Sequence, residues 1–251
     1  MLKAVLLDIS GVLTEDGEAL PGAVEAVARL TASGLALRFL TNTSRKTSAA
    51  VCEELERLGF DVAPEQVFTA PGAIRRHLER HRLTPYLLIH ENLEPEFADL
   101  PGDAPNAVVL GDAGQRLDYA HLDEAFRLLL EGAPLLAVGT NRYFREKGTL
   151  HLDAGPFVRA LEYAAGTEAR ILGKPSGDFF RAVLEEAGVE PHEALMVGDD
   201  VECDVLAAMQ VGLAACLVRS GKYRQGDEAQ APEARCEASL AALVEALLDT
   251  P

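Results

Sequence analysis

A chain of 251 residues, 48% hydrophobic and 25% charged, can bury one large α/β domain or two smaller ones, and its composition excludes a disordered chain. The formal net charge of −17 excludes nucleic acid as a partner, because no concentrated basic stripe offsets the repulsion of a polyanion. A small anionic substrate remains compatible, since a pocket needs only local positive charge, a cation or backbone N–H groups. Residues Met1–Val5 run into an apolar strand without a basic leader, and no apolar run reaches the length of a membrane span, so no membrane partner is expected. Cys52, Cys203, Cys216 and Cys236 are scattered and form no C-x-x-C pair. They read as free thiols of a reducing cytoplasm.

In chain order, short apolar runs rich in β-formers stand at Ala4–Leu7, Ala36–Leu40, Tyr86–Ile89, Ala107–Leu110, Leu135–Val138, Ala169–Leu172, Ala194–Val197 and Ala214–Val218. Helical periodicity separates them at Ala23–Ala32, Thr47–Leu58, Leu122–Leu130, Pro156–Ala165, Asp178–Ala187 and Val201–Met209. Gly34, Gly59, Gly166, Gly188 and Gly212 follow helical patterns and precede strands, as helix stops do. This alternation, with nearly continuous apolar strands, defines the fold class as α/β with a parallel sheet.

The strand ends divide into two sets. The first two and the last three carry Asp8, Thr41, Lys174 and Asp199, whereas the middle three end in His90, Asp112 and Asn141. The expected architecture is a doubly wound parallel-sheet core, residues 1–70 and 168–251, interrupted by an inserted α/β cap domain at 71–167.

Carboxyl ends of parallel strands lie along one edge, where ligands bind. Asp8 after Val5-Leu6-Leu7, Thr41 after Arg38-Phe39-Leu40, Lys174 after Ile171-Leu172-Gly173 and Asp199 after Met196-Val197-Gly198 therefore converge. Two carboxylates suit Mg²⁺, a hard cation with oxygen ligands, and a hydroxyl with a lysine suits a phosphoryl group. Each residue alone also fits a turn or a helix cap, and Gly173-Lys174-Pro175-Ser176 lacks the upstream glycine of a phosphate loop. The set of four carries the signal.

Asp8-Ile9-Ser10-Gly11-Val12-Leu13, Leu40-Thr41-Asn42, Gly173-Lys174-Pro175-Ser176 and Val197-Gly198-Asp199-Asp200 with Asp204 resemble the four motifs of the haloacid dehalogenase superfamily of phosphatases, in the branch with a large α/β cap. The resemblance implies that Asp8 attacks phosphorus to form an aspartyl-phosphate. It implies Mg²⁺ held by Asp8, the main-chain carbonyl of Ser10 and Asp199, with Asp200 and Asp204 holding its waters. Thr41, the backbone N–H groups of Asn42 and Thr43, and Lys174 would bind the phosphoryl oxygens. Asp204 also fits a solvated or capping position on the helix after Asp199. A homodimer formed through the cap is a further implication.

Ser10 departs from the family pattern, which has a second Asp two residues after the nucleophile as general acid and base. A serine hydroxyl is a poor proton donor to an alkoxide. The expected substrates are small phosphorylated compounds with good leaving groups, namely pyrophosphate and phosphoramidates such as phospholysine or phosphohistidine. A phosphomonoesterase for a small metabolite, a non-catalytic phosphate-binding protein and a signalling receiver are the alternatives. A receiver would need no long insertion.

Three weaker features complete the reading. His77 and His81 are spaced for metal sharing on a helix, but four arginines surround them, which favours a solvated face. Gly111-Asp112-Ala113-Gly114 is expected as a turn edging the substrate pocket. Asn141, Arg142 and Tyr143 are candidates for a substrate-contacting cap loop.

Overall fold

The computed structural model describes residues 1–146 and 149–249, with the backbone alone for Arg145 and Glu146. In chain order the elements are β1 (Ala4–Asp8), β2 (Thr14–Glu15), β3 (Glu18–Ala19), α1 (Ala23–Ala32), β4 (Ala36–Thr41), α2 (Ser48–Arg57), β5 (Val67–Thr69) and α3 (Ala70–His81). They continue with β6 (Pro85–Leu88), α4 (Glu94–Phe97), β7 (Ala107–Leu110), α5 (Tyr119–Leu130), β8 (Leu135–Ala137), β9 (Tyr143–Glu146), β10 (Thr149–Leu152), α6 (Gly155–Ala165) and β11 (Arg170–Ile171). The last are α7 (Gly177–Ala187), β12 (Ala194–Gly198), α8 (Ala207–Val211), β13 (Ala214–Val218), β14 (Arg235–Glu237) and α9 (Leu240–Leu248). None of the helices described is long and apolar enough to cross a membrane.

Two compact units result. Met1–Thr41, Ala49–Phe68 and the chain from Lys174 onward form the first; Asn42–Ser48 and Thr69–Gly173 form the second. The sheet of the first runs β14-β13-β12-β1-β4-β5. β1 lies parallel between β12 and β4, in registers Leu7↔Val197 and Leu7↔Phe39. All five residues of β1 and of β12 are buried, which explains their unbroken apolar runs. Val5 and Leu7 pack with α1, α2 and α9 through Val27, Leu30, Leu55 and Leu243. Successive strands leave β1 in opposite directions, so the topological switch falls between β1 and β12. Ligands bind at the carboxyl ends there, where Asp8 and Asp199 stand.

The second unit has a parallel sheet in the order β11-β8-β7-β6 and a separate antiparallel hairpin, β9-β10. Period-2 alternation covers both faces of the parallel sheet. Val109 and Leu136 meet Ile74, Leu78 and Phe97 on one side, while Val108, Leu110 and Leu135 meet Leu129, Val158 and Leu161 on the other.

Two expectations need correction. The strand at 169–172 was placed in the core sheet, but β11 pairs with β8 in the second unit, through Arg170↔Leu136 and Ile171↔Ala137. Its short apolar pattern fits either sheet, and Ile171 and Leu172 find their partners in the clusters around β7 and β8. Lys174 is therefore carried by a loop, not by a core strand end. The single helix expected at 201–209 is instead a π-helical turn, Val201–Leu206, followed by α8.

Candidate active site

Within the first unit, β1 and β12 end side by side and bring two carboxylates together, and the turn after β12 adds a third. Asp8, Asp199 and Asp204 are 4%, 1% and 0% exposed, and each offers a carboxylate oxygen within 4.8 Å of the others. Lys174 Nζ lies 2.7 Å from Asp8 Oδ1 and 2.7 Å from Asp204 Oδ1. The loop before α7, which begins at Gly177, thus delivers the cation that three clustered carboxylates require.

The backbone around the cluster is shaped to it. Asp200 caps the π-helical turn, accepting from Glu202 N at 3.1 Å and Cys203 N at 2.9 Å. That wide turn sets Asp204 against Gly198, where a Cβ would stand 2.2 Å from Asp204 Cβ. Asp199 is gripped by two loops. Its Oδ2 accepts from Lys222 N at 2.7 Å, and a Cβ on either Gly11 or Gly221 would lie 2.0 Å from that oxygen. Ser220 Oγ donates to Gly11 O at 2.5 Å and locks the two loops together.

Burial and charge set the protonation. Desolvation raises the Asp8 carboxyl pKa, against the lowering effect of Lys174. Desolvation likewise pushes Asp204 up to about 7, with Lys174 opposing and Asp8 adding. Asp199 is also raised by its burial. Burial works against the charge on Lys174, but Asp204 and Asp8 prevail and raise its pKa. Asp200 is lowered: its burial is outweighed by the Cys203 N–H and by Lys222, whose Nζ lies 3.4 Å away.

Thr41 is 8% exposed at the end of β4, two strands from Asp199 in the same sheet. Asn42 and Thr43, the next residues in sequence, belong to the second unit. There the Asn42 side chain abuts Gly173, where a Cβ would meet Asn42 Oδ1 at 2.5 Å. Ser10 is exposed and bridges to Thr14. Asn141 and Arg142 are exposed, and their carbonyls accept from Gly155 N at 3.0 Å and Asp153 N at 3.3 Å. Tyr143 opens β9 with 57% of its surface exposed. The structure thus assembles Asp8, Lys174, Asp199 and Asp204 as one cluster. Asp200 stands at its edge as a cap, and Asn141–Tyr143 form a braced loop of the second unit. The His77 and His81 rings lie against each other tilted by 41°, centroids 4.3 Å apart, and the carboxylate cluster is the metal-competent group found among the described residues.

Ser220, Gly221 and Lys222 were absent from the sequence reading, and Gly11 entered it only as part of the first motif, with no role. Ser220-Gly221-Lys222 does follow the apolar run Ala214–Val218, so its place after a core strand was a usable signal. The contact with Asp199 uses a backbone N–H, which no side-chain pattern announces.

Parallel core, switch-point carboxylates and an inserted α/β unit together define a hydrolase built on a doubly wound core with a cap domain. A haloacid dehalogenase-like hydrolase family model matches residues 5–100, and a second HAD-hydrolase-like model matches 171–246. The rat phospholysine phosphohistidine inorganic pyrophosphate phosphatase is 45% identical over 98% of this chain and 93% of its own length. The human haloacid dehalogenase-like hydrolase domain-containing protein 2 is 45% identical over 90% of this chain and 88% of its own. Among solved structures, a p-nitrophenyl phosphatase from Archaeoglobus fulgidus superposes with a TM-score of 0.89 at 25% identity, covering 98% of this chain and 99% of that one. The chain belongs to the haloacid dehalogenase-like hydrolases.

Proposed function

We propose that this hydrolase is a Mg²⁺-dependent phosphatase that passes a phosphoryl group first to Asp8 and then to water, and that it favours pyrophosphate and P–N bonded substrates. The observation that carries the reading is the buried Asp8–Lys174–Asp204 ion pairing beside Asp199, whose Oδ1 is buried with no hydrogen-bond partner among the described residues. A buried acceptor without a donor is costly, and a cation satisfies it. Oxygen-only donors suit Mg²⁺ better than a softer metal. Asp8, Asp199 and the Ser10 carbonyl would hold it, with Asp204 supporting its waters. Once bound, it neutralises phosphoryl charge and fixes the group's orientation.

The residues of the chain perform the displacement. Both hydrogen-bonding contacts of Asp8 among the described residues, from Ile9 N at 2.8 Å and from Lys174, fall on Oδ1. Oδ2 is left to attack phosphorus while the bond to the leaving atom breaks and its electron pair departs with that atom. Lys174 keeps Asp8 ionised and balances the arriving charge, and Thr41 with the N–H groups of Asn42 and Thr43 holds phosphoryl oxygens. Water then attacks phosphorus, releasing phosphate and restoring the carboxylate. The cap, residues 71–167, would select the substrate. The four cysteines are free, which suits a cytoplasmic enzyme.

Substrate preference follows from Ser10. An alkoxide leaving group needs a proton from a positioned acid, a contribution of roughly 10²–10⁴-fold. Pyrophosphate, phosphoramidates and aryl phosphates need little such help, and the names of the rat and Archaeoglobus relatives carry these substrates. In a panel with Mg²⁺, kcat/KM for pyrophosphate or phospholysine is expected to exceed that for an ethyl phosphate ester by about 10²-fold. Ser10→Asp should narrow the gap. A wild-type preference for the alkyl ester would overturn the reading.

Metal binding has a readout independent of turnover. Burial raises the Asp204 carboxyl to about 7 in the folded chain, above the roughly 3.9 of an Asp in an unfolded one. Raised carboxyl pKa values mean that metal-free stability falls as pH rises through this window. A cation displaces the proton, so its contribution grows with pH. Thermal unfolding with Mg²⁺ and with chelator should show a larger Mg²⁺ increment at pH 8 than at pH 5.5. Equal increments, or none, would remove the metal from this site.

A further inference from the structure

Asp199 is held in a way that decides which of its two oxygens a cation meets. The residues that hold it, Gly11 after β1 and Ser220–Lys222 after β13, all belong to the first unit. Gly11 and Gly221 both lie in the left-handed region, with φ of +83° and +58°, and a Cβ on either would fall 2.0 Å from Asp199 Oδ2. Two bare backbones therefore close on that one oxygen, and the Lys222 N–H donates to it at 2.7 Å. The loop is tied down on both sides of Gly221. Ser220 Oγ donates to Gly11 O at 2.5 Å, and Lys222 Nζ lies 3.4 Å from Asp200 Oδ2.

The other oxygen, Asp199 Oδ1, is buried with no hydrogen-bond partner among the described residues. Asp204 offers nothing equivalent: its Oδ1 faces Lys174 Nζ at 2.7 Å, and its Oδ2 accepts from Asp200 N at 3.3 Å. A carboxylate whose second oxygen is committed cannot turn to grasp a cation with both. This matters for cation size. Mg²⁺ takes about six ligands at about 2.0–2.1 Å and keeps several waters. Ca²⁺ takes about six to eight at about 2.3–2.6 Å, and often draws both oxygens of a carboxylate.

We propose that the Ser220–Lys222 loop is a positioning element for the metal site: by holding Asp199 Oδ2 it presents Oδ1 alone, and so favours Mg²⁺ over Ca²⁺. The inference rests on the metal-dependent phosphatase reading above, which puts a cation at Asp199 and gives this loop no part in binding it. Ser220 and Lys222 act through Asp199. When their ties are cut, the carboxylate is free to swing, and the larger ion gains a ligand that the smaller one does not use.

Metal binding tests this without turnover. Chelator-treated wild type, Ser220→Ala and Ser220→Thr are titrated calorimetrically with MgCl₂ and with CaCl₂. Ser220→Ala, which unties the loop from Gly11, should shift the Mg²⁺-to-Ca²⁺ affinity ratio toward Ca²⁺ by about 3–10-fold, the scale of one lost hydrogen bond. Ser220→Thr keeps a hydroxyl and should hold the wild-type ratio within about twofold. Lys222→Met removes the tie to Asp200 and should move the ratio the same way by about twofold, which keeps the test open where Ser220→Ala fails to fold. An unchanged ratio, or a loss shared equally by both cations, would overturn the proposal, since a loop that only supports the fold weakens both alike. So would a Ser220→Thr shift as large as that of Ser220→Ala. Wild-type protein that binds no Mg²⁺ would sink the phosphatase reading and this inference together. Failure of the phosphatase reading alone shows as the expected shifts in a protein that releases no phosphate from any substrate.

Discussion

Asp8→Asn is expected to lower phosphate release by at least about 10³-fold while the protein stays folded. The amide has the shape of the carboxylate and presents a carbonyl to Ile9 N and Lys174, the two donors that meet Asp8 Oδ1. It has no electron pair basic enough to displace a leaving group from phosphorus. The fold should tolerate the change because Asp8 is a charge in a desolvated slot, its carboxyl pKa raised by burial. A neutral group there removes a desolvation cost, and Lys174 keeps Asp204 as its partner. Rapid-quench measurements give a second readout. Wild-type protein should accumulate an acyl phosphate cleaved by hydroxylamine, and the variant none. A folded variant that keeps more than a few per cent of wild-type turnover would unseat Asp8.

The ends of β1 and β12 were legible because parallel strands buried on both faces leave continuous apolar runs, and the first polar residue after each run marks the ligand edge. Asp8 and Asp199 follow such runs, and the neighbouring strands continue them in register, Leu40 opposite Asp8 and Leu217 opposite Gly198. Lys174 was found by its motif, but the strand before it was assigned to the wrong sheet. A run of four residues encodes burial and not its partner, and only the complementary faces of β7 and β8 decide that question. β9 and β10 left no signal. Residues 149–152 of β10 are all exposed, so no alternation records their pairing. β14 is three residues long, Arg235–Glu237, with no apolar pattern at all. Asp204 was poorly resolved between roles by spacing, since a helix position four residues after a cap is solvated on most helices. The π-helical turn and the missing side chain at Gly198 rotate it inward, and neither is written in the hydrophobic period.

Lys174→Met should be the most costly single change in the first unit. It removes the cation 2.7 Å from both Asp8 Oδ1 and Asp204 Oδ1 and leaves two carboxylates buried beside Asp199. Breaking a buried pair from one side costs about 3–5 kcal/mol, on the order of 10 °C in Tm for a chain of this size. Removal of the phosphoryl-binding charge should also lower kcat/KM by about 10²-fold or more. The pH dependence separates this mechanism from a packing defect. Without Lys174, the lowering influence on Asp8 and Asp204 is gone, so their folded-state pKa values rise further above those of the unfolded chain. Groups shifted this way contribute stability at low pH and lose it as pH climbs through the folded value. The difference in Tm between variant and wild type, measured in chelator, should therefore be small at pH 5 and large at pH 8. Adding Asp204→Asn to the variant should recover part of the loss at pH 8, because one of the two stranded charges is then gone. A deficit that is the same at both pH values, or that the second substitution leaves untouched, would mean that Lys174 stabilises by packing its stem rather than by neutralising the cluster.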